Sequence, residues 1–322
     1  MLKFILAIAI IIGGLLVGRL LRLFIQKNGQ SSRIPFDKMI QKMIPFVLLG
    51  INPIILLAAF WIVEIEEMKF LLLPVLGIFA LIIGGALAIL SSRLLRHQPV
   101  QTGAMFVSGS FSNWGAFGML FCFLLLGEMG LAFAAMVRLF EELFYYTVCF
   151  PVAKGYGPNA KQDQAPSRFK KIVTDPFILV TFSAISIGAI LNFSGIVRPE
   201  LVGNLNEFLV PLASFLLVVP LGFTMKVNSV RKYYKEGLII SSIKFISVPI
   251  ITVSAAWLLG LGAYQDGLLI YVLLILSAMP PAVMSLVPAQ LYKLDIELAN
   301  ANWIVSTSML LVVLPILYLL IP

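Results

Sequence analysis

Charged residues are scarce in this 322-residue chain: Asp, Glu, Lys and Arg together make up 12%. A soluble domain carries roughly 25%, so the chain cannot cover its apolar surface with polar groups, and a soluble globular fold is excluded. Histidine occurs once, as His97 in a polar loop, away from the membrane depth of Ser110 and Ser112. Neither H-E-x-x-H nor G-x-S-x-G is present. Two facing acids are also missing, because Glu141 and Glu142 are sequential. The two cysteines, Cys122 and Cys149, lie in apolar runs at no metal-binding spacing. The phosphate-binding pattern G-x-x-x-x-G-K-S/T is lacking, which excludes an ATP-driven pump in a single chain. An enzyme, a cofactor and a resident metal are therefore not expected, with Na+ left open as a coupling ion.

What the chain has is grease: 60% hydrophobic residues and a mean hydropathy of +1.02. Apolar runs of bilayer-spanning length, about 20 residues, recur throughout. The pattern predicts an all-α membrane protein with ten spans, at 2–25, 39–60, 69–92, 100–126, 129–153, 175–196, 206–225, 237–260, 267–290 and 297–321. The first run lacks an A-x-A-like cleavage site and is too long for a signal-peptide core, so it is read as a mature helix. A polar linker at residues 154–174 separates a first five-helix repeat, 1–153, from a second, 175–322.

The basic residues set an orientation. Of 23, 18 fall in or beside alternate loops, among them Lys27, Arg33, Arg93, Lys161, Arg168, Lys171, Arg231 and Lys293. The opposite loops carry Glu64, Glu66, Glu67, Glu128 and Asp266. By the positive-inside rule the central linker is cytoplasmic and both termini lie outside, in a plasma or inner membrane. The net charge of +8 is thus a topology signal, and no nucleic-acid partner is expected. A cysteine placed at Gln164 should be protected from an impermeant thiol reagent in intact cells; ready labelling there would invert the topology.

Four spans carry helix breakers. Span 2 is interrupted at Asn52 and Pro53, span 7 at Pro220, span 4 at Asn113 within "SGSFSNWGAFGML", and span 9 at Pro280 and Pro281 within "SAMPPAV". Pro53 and Pro220 are 167 residues apart, as are Asn113 and Pro280. With five spans in each half, the second half enters the membrane from the other side, which predicts an inverted repeat of the kind found in secondary transporters. A break at membrane depth must be buried in protein or line a polar cavity. Crossed breaks would aim two helix N-termini at an anion. The competing reading is that these Gly and Pro residues serve only packing and kinks.

Two stretches resemble the auxin efflux carrier family, within the wider group that includes bile acid–sodium symporters. They are "NWGAFGMLFCFLLLGEMGLAFAAMV" and "LSAMPPAVMSLVPAQLYKLDIELANANWIVSTSMLLVVLPI". The resemblance implies a ten-helix crossover fold and elevator-like transport of small organic anions, commonly by a homodimer. It implies a substrate-binding role for Asn113 and a second crossover at Pro280. The proline that family members often carry shortly after this Asn is missing, and the large Trp114 stands there instead.

Charges inside the membrane are usually functional. Arg138 lies three residues before Glu141 and four before Glu142, so either acid can pair with it on one helix face. The readings are a self-satisfied ion pair or a cation-coupling site for H+ or Na+, with Ser306 as a further candidate. The substrate candidates are Asn113, Ser112, Trp114, Gly115, Met279, Pro280, Pro281, Asn52 and Asn302. Trp114 and Trp303 suit aromatic packing or stacking on a substrate. Lys244 is read as snorkelling to the interface or attracting an anion. Together these predict a secondary transporter of small carboxylates, auxin-like or dicarboxylate, embedded in the lipid bilayer, with spans 1, 2, 6 and 7 as scaffold and spans 3–5 and 8–10 as the moving part. The alternatives are a Na+-coupled carrier and a non-transporting receptor with a transporter fold. Apolar spans 2 and 7 are the expected homodimer face.

Overall fold

The structure, a computed structural model, describes residues 2–28, 36–63, 68–158, 176–225 and 227–321. Arg33, Glu64, Glu66, Glu67 and the linker from residue 159 to 175, with Gln164, lie outside the described residues. The described residues form helices and connecting turns, with no strand among them. Among the described residues, eight helices are long and apolar enough to cross a membrane. The expected fourth and fifth spans fall within one of these, Pro99–Gly155. The expected ninth is represented by a ten-residue helix, Leu268–Ser277, because the chain leaves helical geometry at the double proline. Inside Pro99–Gly155 helicity lapses at Phe111–Asn113 and again at Gly127. Gly127 (φ 74°, ψ −163°) occupies backbone space essentially reserved for glycine. It lies between the expected spans 100–126 and 129–153.

The chain divides into two compact units. The first comprises residues 1–64, 115–135 and 174–225. It contains α1 (Leu2–Asn28), α2 (Phe36–Phe46), α3 (Asn52–Ile62), most of α6 (Met119–Val137), α9 (Pro176–Phe193) and α10 (Glu200–Thr224). Helices α1 and α10 touch backbone to backbone. A Cβ on Gly18 would overlap the carbonyl oxygen of Val219, and one on Gly222 that of Leu15. Lipid offers no hydrophobic drive between helices, so small residues that permit such approach carry the association. Arg22 donates to the carbonyls of Phe223 (3.1 Å) and Met225 (2.9 Å), satisfying orphan acceptors where α10 ends. Asn192 on α9 does the same at the end of α3, donating to Trp61 O (2.8 Å) and Val63 O (3.0 Å). Arg198 and Glu128 form a two-pronged ion pair, 3.0 Å between Nη1 and Oε1. Contrary to the expected interruption of span 7, α10 runs unbroken through Pro211 and Pro220. Helix-breaking residues are tolerated in long membrane helices where side chains and local adjustment re-satisfy the freed backbone groups.

The second unit comprises residues 65–114, 136–173 and 226–322. Its helices are α4 (Leu72–Leu94), α5 (Pro99–Ser110), α7 (Glu141–Phe144), α8 (Phe150–Gly155), α11 (Val230–Ser242), α12 (Val248–Leu258), α13 (Leu268–Ser277), α14 (Leu286–Leu291) and α15 (Ile296–Leu320). A capping box of Gln98 and Gln101, followed by Pro99, starts α5. Gly84 on α4 and Gly109 on α5 meet so closely that a Cβ on either would overlap the other's carbonyl oxygen.

Three wide, π-helical turns share one construction. Val47–Ile51, Tyr145–Cys149 and Ile243–Ser247 each end one residue before an X-Pro pair: Asn52-Pro53, Phe150-Pro151 and Val248-Pro249. In each, the residue before proline donates its N–H five residues back, to the carbonyls of Val47, Tyr145 and Ile243 respectively. Proline has no N–H and its ring clashes with the carbonyl four residues back, so the turn widens instead of breaking.

Candidate functional site

The site lies in the second unit, where two helix breaks meet. Helix α5 ends at Ser110, and Phe111 turns extended (φ −82°, ψ 137°). Helix α13 ends at Ser277, and the chain runs non-helically from Met279 to Ala282. The backbone N–H of Asn113 donates to Pro280 O at 2.9 Å. Ser112 Oγ donates to Met279 O at 3.4 Å, and Trp114 Nε1 to Leu276 O at 2.6 Å. Residues 112 and 113 are thus bonded to residues 279 and 280, their counterparts 167 positions on.

The chemistry explains the pairing. Pro280 and Pro281 remove two donors from the second break but leave the carbonyls. The first break, rich in serine and asparagine, supplies donors. Ser112, Asn113, Trp114 and Met279 are buried, as are Pro280 and Pro281. An unpaired backbone group there would cost roughly several kcal/mol in a hydrocarbon setting, so each break satisfies the other.

A chain of polar contacts leads from the first break to a buried ion pair. The N–H of Ser112 donates to the phenol oxygen of Tyr145 at 3.0 Å. That phenol donates to Glu141 Oε1 at 3.1 Å, and Arg138 Nε donates to Glu141 Oε2 at 3.0 Å. Glu141 is 4% exposed. Tyr145 is held flat against Phe111, ring centroids 4.1 Å apart, so the residue that opens the break also orients the phenol. Glu142 is half-buried and also engaged.

Lys244 does not snorkel. Its side chain is buried, and Nζ donates to Gly109 O at 3.1 Å. Asn302 lies against α5 one turn before the break, donating to Ser108 Oγ at 3.1 Å and Met105 Sδ at 3.4 Å. Its Oδ1 has no partner among the described residues. Ser306 bonds Ser241 at 2.9 Å and belongs to the packing of α11 on α15. Trp303 is fully buried, as packing requires. Asn52 belongs to the first unit, and Gly115 begins the segment assigned to it.

The structure therefore brings together Ser112, Asn113, Trp114, Met279 and Pro280, and attaches Arg138 and Glu141 to them. The link, Tyr145, is not among the residues singled out from the sequence. Its signal is its spacing: four residues after Glu141, it shares that acid's helix face. Among the described residues no group of three or more His, Cys, Asp and Glu is placed to hold a metal.

No family model matches the chain. It is 26% identical over 256 residues to an uncharacterized transporter of Methanocaldococcus jannaschii, covering 77% of this chain and 78% of that protein. It is also 26% identical over 217 residues to a candidate malonate transporter of Rhizobium meliloti, covering 66% of this chain and 65% of that protein. Both relatives bear transport in their names, and the chain is a helical membrane protein similar to them.

Proposed function

We propose that the chain is a secondary transporter of small organic anions, with a dicarboxylate of malonate size as first substrate. The observation that carries this reading is the mutual pairing of two buried helix breaks, Asn113 N–H to Pro280 O, beside the side-chain amide of Asn113. Irregular backbone at membrane depth is tolerated where it is buried in protein or lines a cavity, and secondary transporters build their substrate sites from such discontinuous helices. The name of the Rhizobium relative supports malonate over an auxin-like substrate, and so does Trp114, which fills the ground after Asn113. In this reading the chain is a ten-span inverted repeat of the auxin efflux carrier type. It is a homodimer with termini outside, working by elevator-type alternating access. The division into two units differs from the expected scaffold and moving part at one element, since the unit with α1, α3, α9 and α10 also holds most of α6, which the sequence placed in the moving part. The deciding experiment is malonate uptake by proteoliposomes of purified protein. Flux above empty vesicles is expected; malonate binding with no flux would make the protein a receptor.

Glu141 is the coupling acid. It faces Arg138 and Tyr145 on its own segment and lies within electrostatic reach of Lys244. Glu142, Tyr146 and Cys149 are further ionisable groups of the segment, and Cys149 also interacts with Lys244. Because Tyr145 joins Glu141 to the break, a change of charge on Glu141 alters the acceptor that Tyr145 offers the Ser112 N–H, and anion binding and cation uptake favour each other reciprocally. Malonate affinity should depend on pH or Na+ in the wild type, and Glu141→Gln should abolish that dependence. Dependence retained in Glu141→Gln would make the pair purely structural.

A further inference from the structure

We propose that Lys244 is a tethered cation at the first helix break, holding the place that an inorganic cation such as Na+ would otherwise take. The argument begins with Gly109. In an unbroken helix its carbonyl would accept from the N–H four residues on, that of Asn113. That N–H instead serves Pro280 O. The break therefore orphans the Gly109 carbonyl at the C-terminal end of α5, where the helix dipole places partial negative charge. Lys244 Nζ reaches this oxygen from another helix, at 3.1 Å, with the side chain 1% exposed.

The approach is built in. Lys244 sits inside the wide turn Ile243–Ser247 that Pro249 imposes. Gly84 packs against Gly109 with no room for a Cβ, which closes the other side of the same peptide. Carbonyls freed by helix breaks are the usual ligands of Na+ in transporters with discontinuous helices. An ammonium is a point charge of similar use with three donors. A metal ion on the Gly109 carbonyl would stand about 3 Å from that ammonium, where like charges repel strongly in a water-poor interior. Lys244 faces the negative end of α5 and lies within electrostatic reach of Glu141 and Cys149.

The inference deepens the transporter reading by making the carrier independent of Na+, which leaves H+ as the ion coupled at Glu141. Its test needs no transport. Purified wild type, Lys244→Ala and Lys244→Gln are unfolded thermally in choline, K+, Na+, Li+ or methylammonium at equal ionic strength, without organic anion. The wild type should unfold at the same temperature in all five. Lys244→Ala should lose stability and regain about 3 °C or more in Na+, Li+ or methylammonium at saturation. Lys244→Gln, which keeps a donor without charge, should fall below wild type. Three results would overturn the proposal: a Na+-specific rise in the wild type, a folded Lys244→Ala blind to all small cations, or a Lys244→Gln as stable as wild type. If Lys244→Ala cannot be purified, the wild type and Lys244→Gln still decide. An absence of malonate flux would leave these outcomes untouched and count only against the transporter reading.

Discussion

Asn113→Ala should weaken malonate binding by tenfold or more while the protein stays folded. The backbone N–H of Asn113, which pairs with Pro280 O, survives the substitution. What is lost is the side-chain amide, a donor and an acceptor beside the paired breaks. A hydrogen bond to a charged group contributes about 1.5–3 kcal/mol, and about 1.4 kcal/mol corresponds to tenfold in affinity. Asn113→Asp should be worse still, since it sets a carboxylate against an anion. Titration calorimetry on variants that unfold at the wild-type temperature checks both. Unchanged affinity in a well-folded Asn113→Ala protein would move the anion site elsewhere.

The largest effect on stability is expected at Gly18. A Cβ there would overlap Val219 O, and the neighbouring atoms on that side, Phe223 N and Gly222 C, are also backbone, which cannot swing away as a side chain can. Gly18→Val should cost about 3 kcal/mol, the upper end of ordinary overpacking, or prevent the folded protein from accumulating. The control is on the same helix. A Cβ on Gly13 would meet only the ring edge of Phe215 at 3.9 Å, an ordinary contact, so Gly13→Ala should unfold near the wild-type temperature. Thermal unfolding of the two variants in one detergent separates them. Equal stability would mean that α1 and α10 do not depend on the close approach of their backbones.

Much of the site was legible because breaks at membrane depth demand polar partners. Asn113 and Pro280 stand out in their apolar runs, and their common offset pointed to each other. Arg138 and Glu141 stand out for the same reason, and their spacing on one helix face predicted the pair that forms. Pro220 misled, because a proline marks a missing N–H but not whether the helix ends; α10 carries its proline without interruption. The bonds that tie Tyr145 and Lys244 to the break were illegible for another reason. Their roles are set by which carbonyl or N–H the break orphans, and that depends on pairing across long sequence separations: 33 residues from Ser112 to Tyr145 and 135 from Gly109 to Lys244. The α1–α10 contact had a local signal in Gly14 and Gly18, four apart on one face.

The three wide turns before proline have a consequence for how these helices are phased. A π-helical turn holds one residue more than an α-helical turn, which offsets everything beyond it by about 100° around the axis. On either side of such a turn the lipid-facing and protein-facing stripes keep their normal period, and the turn decides how they join. Around Ile243–Ser247, Lys244 and Val248 are buried while Ile246 and Ile250 are 57% and 61% exposed. Lys244 already lies on the buried stripe of α11, four residues after Ile240 and seven after Gly237, so its inward aim belongs to that helix and the slip falls beyond it. Pro249, which contributes no polar side chain, sets the wide turn in which the one buried ammonium described in this unit stands.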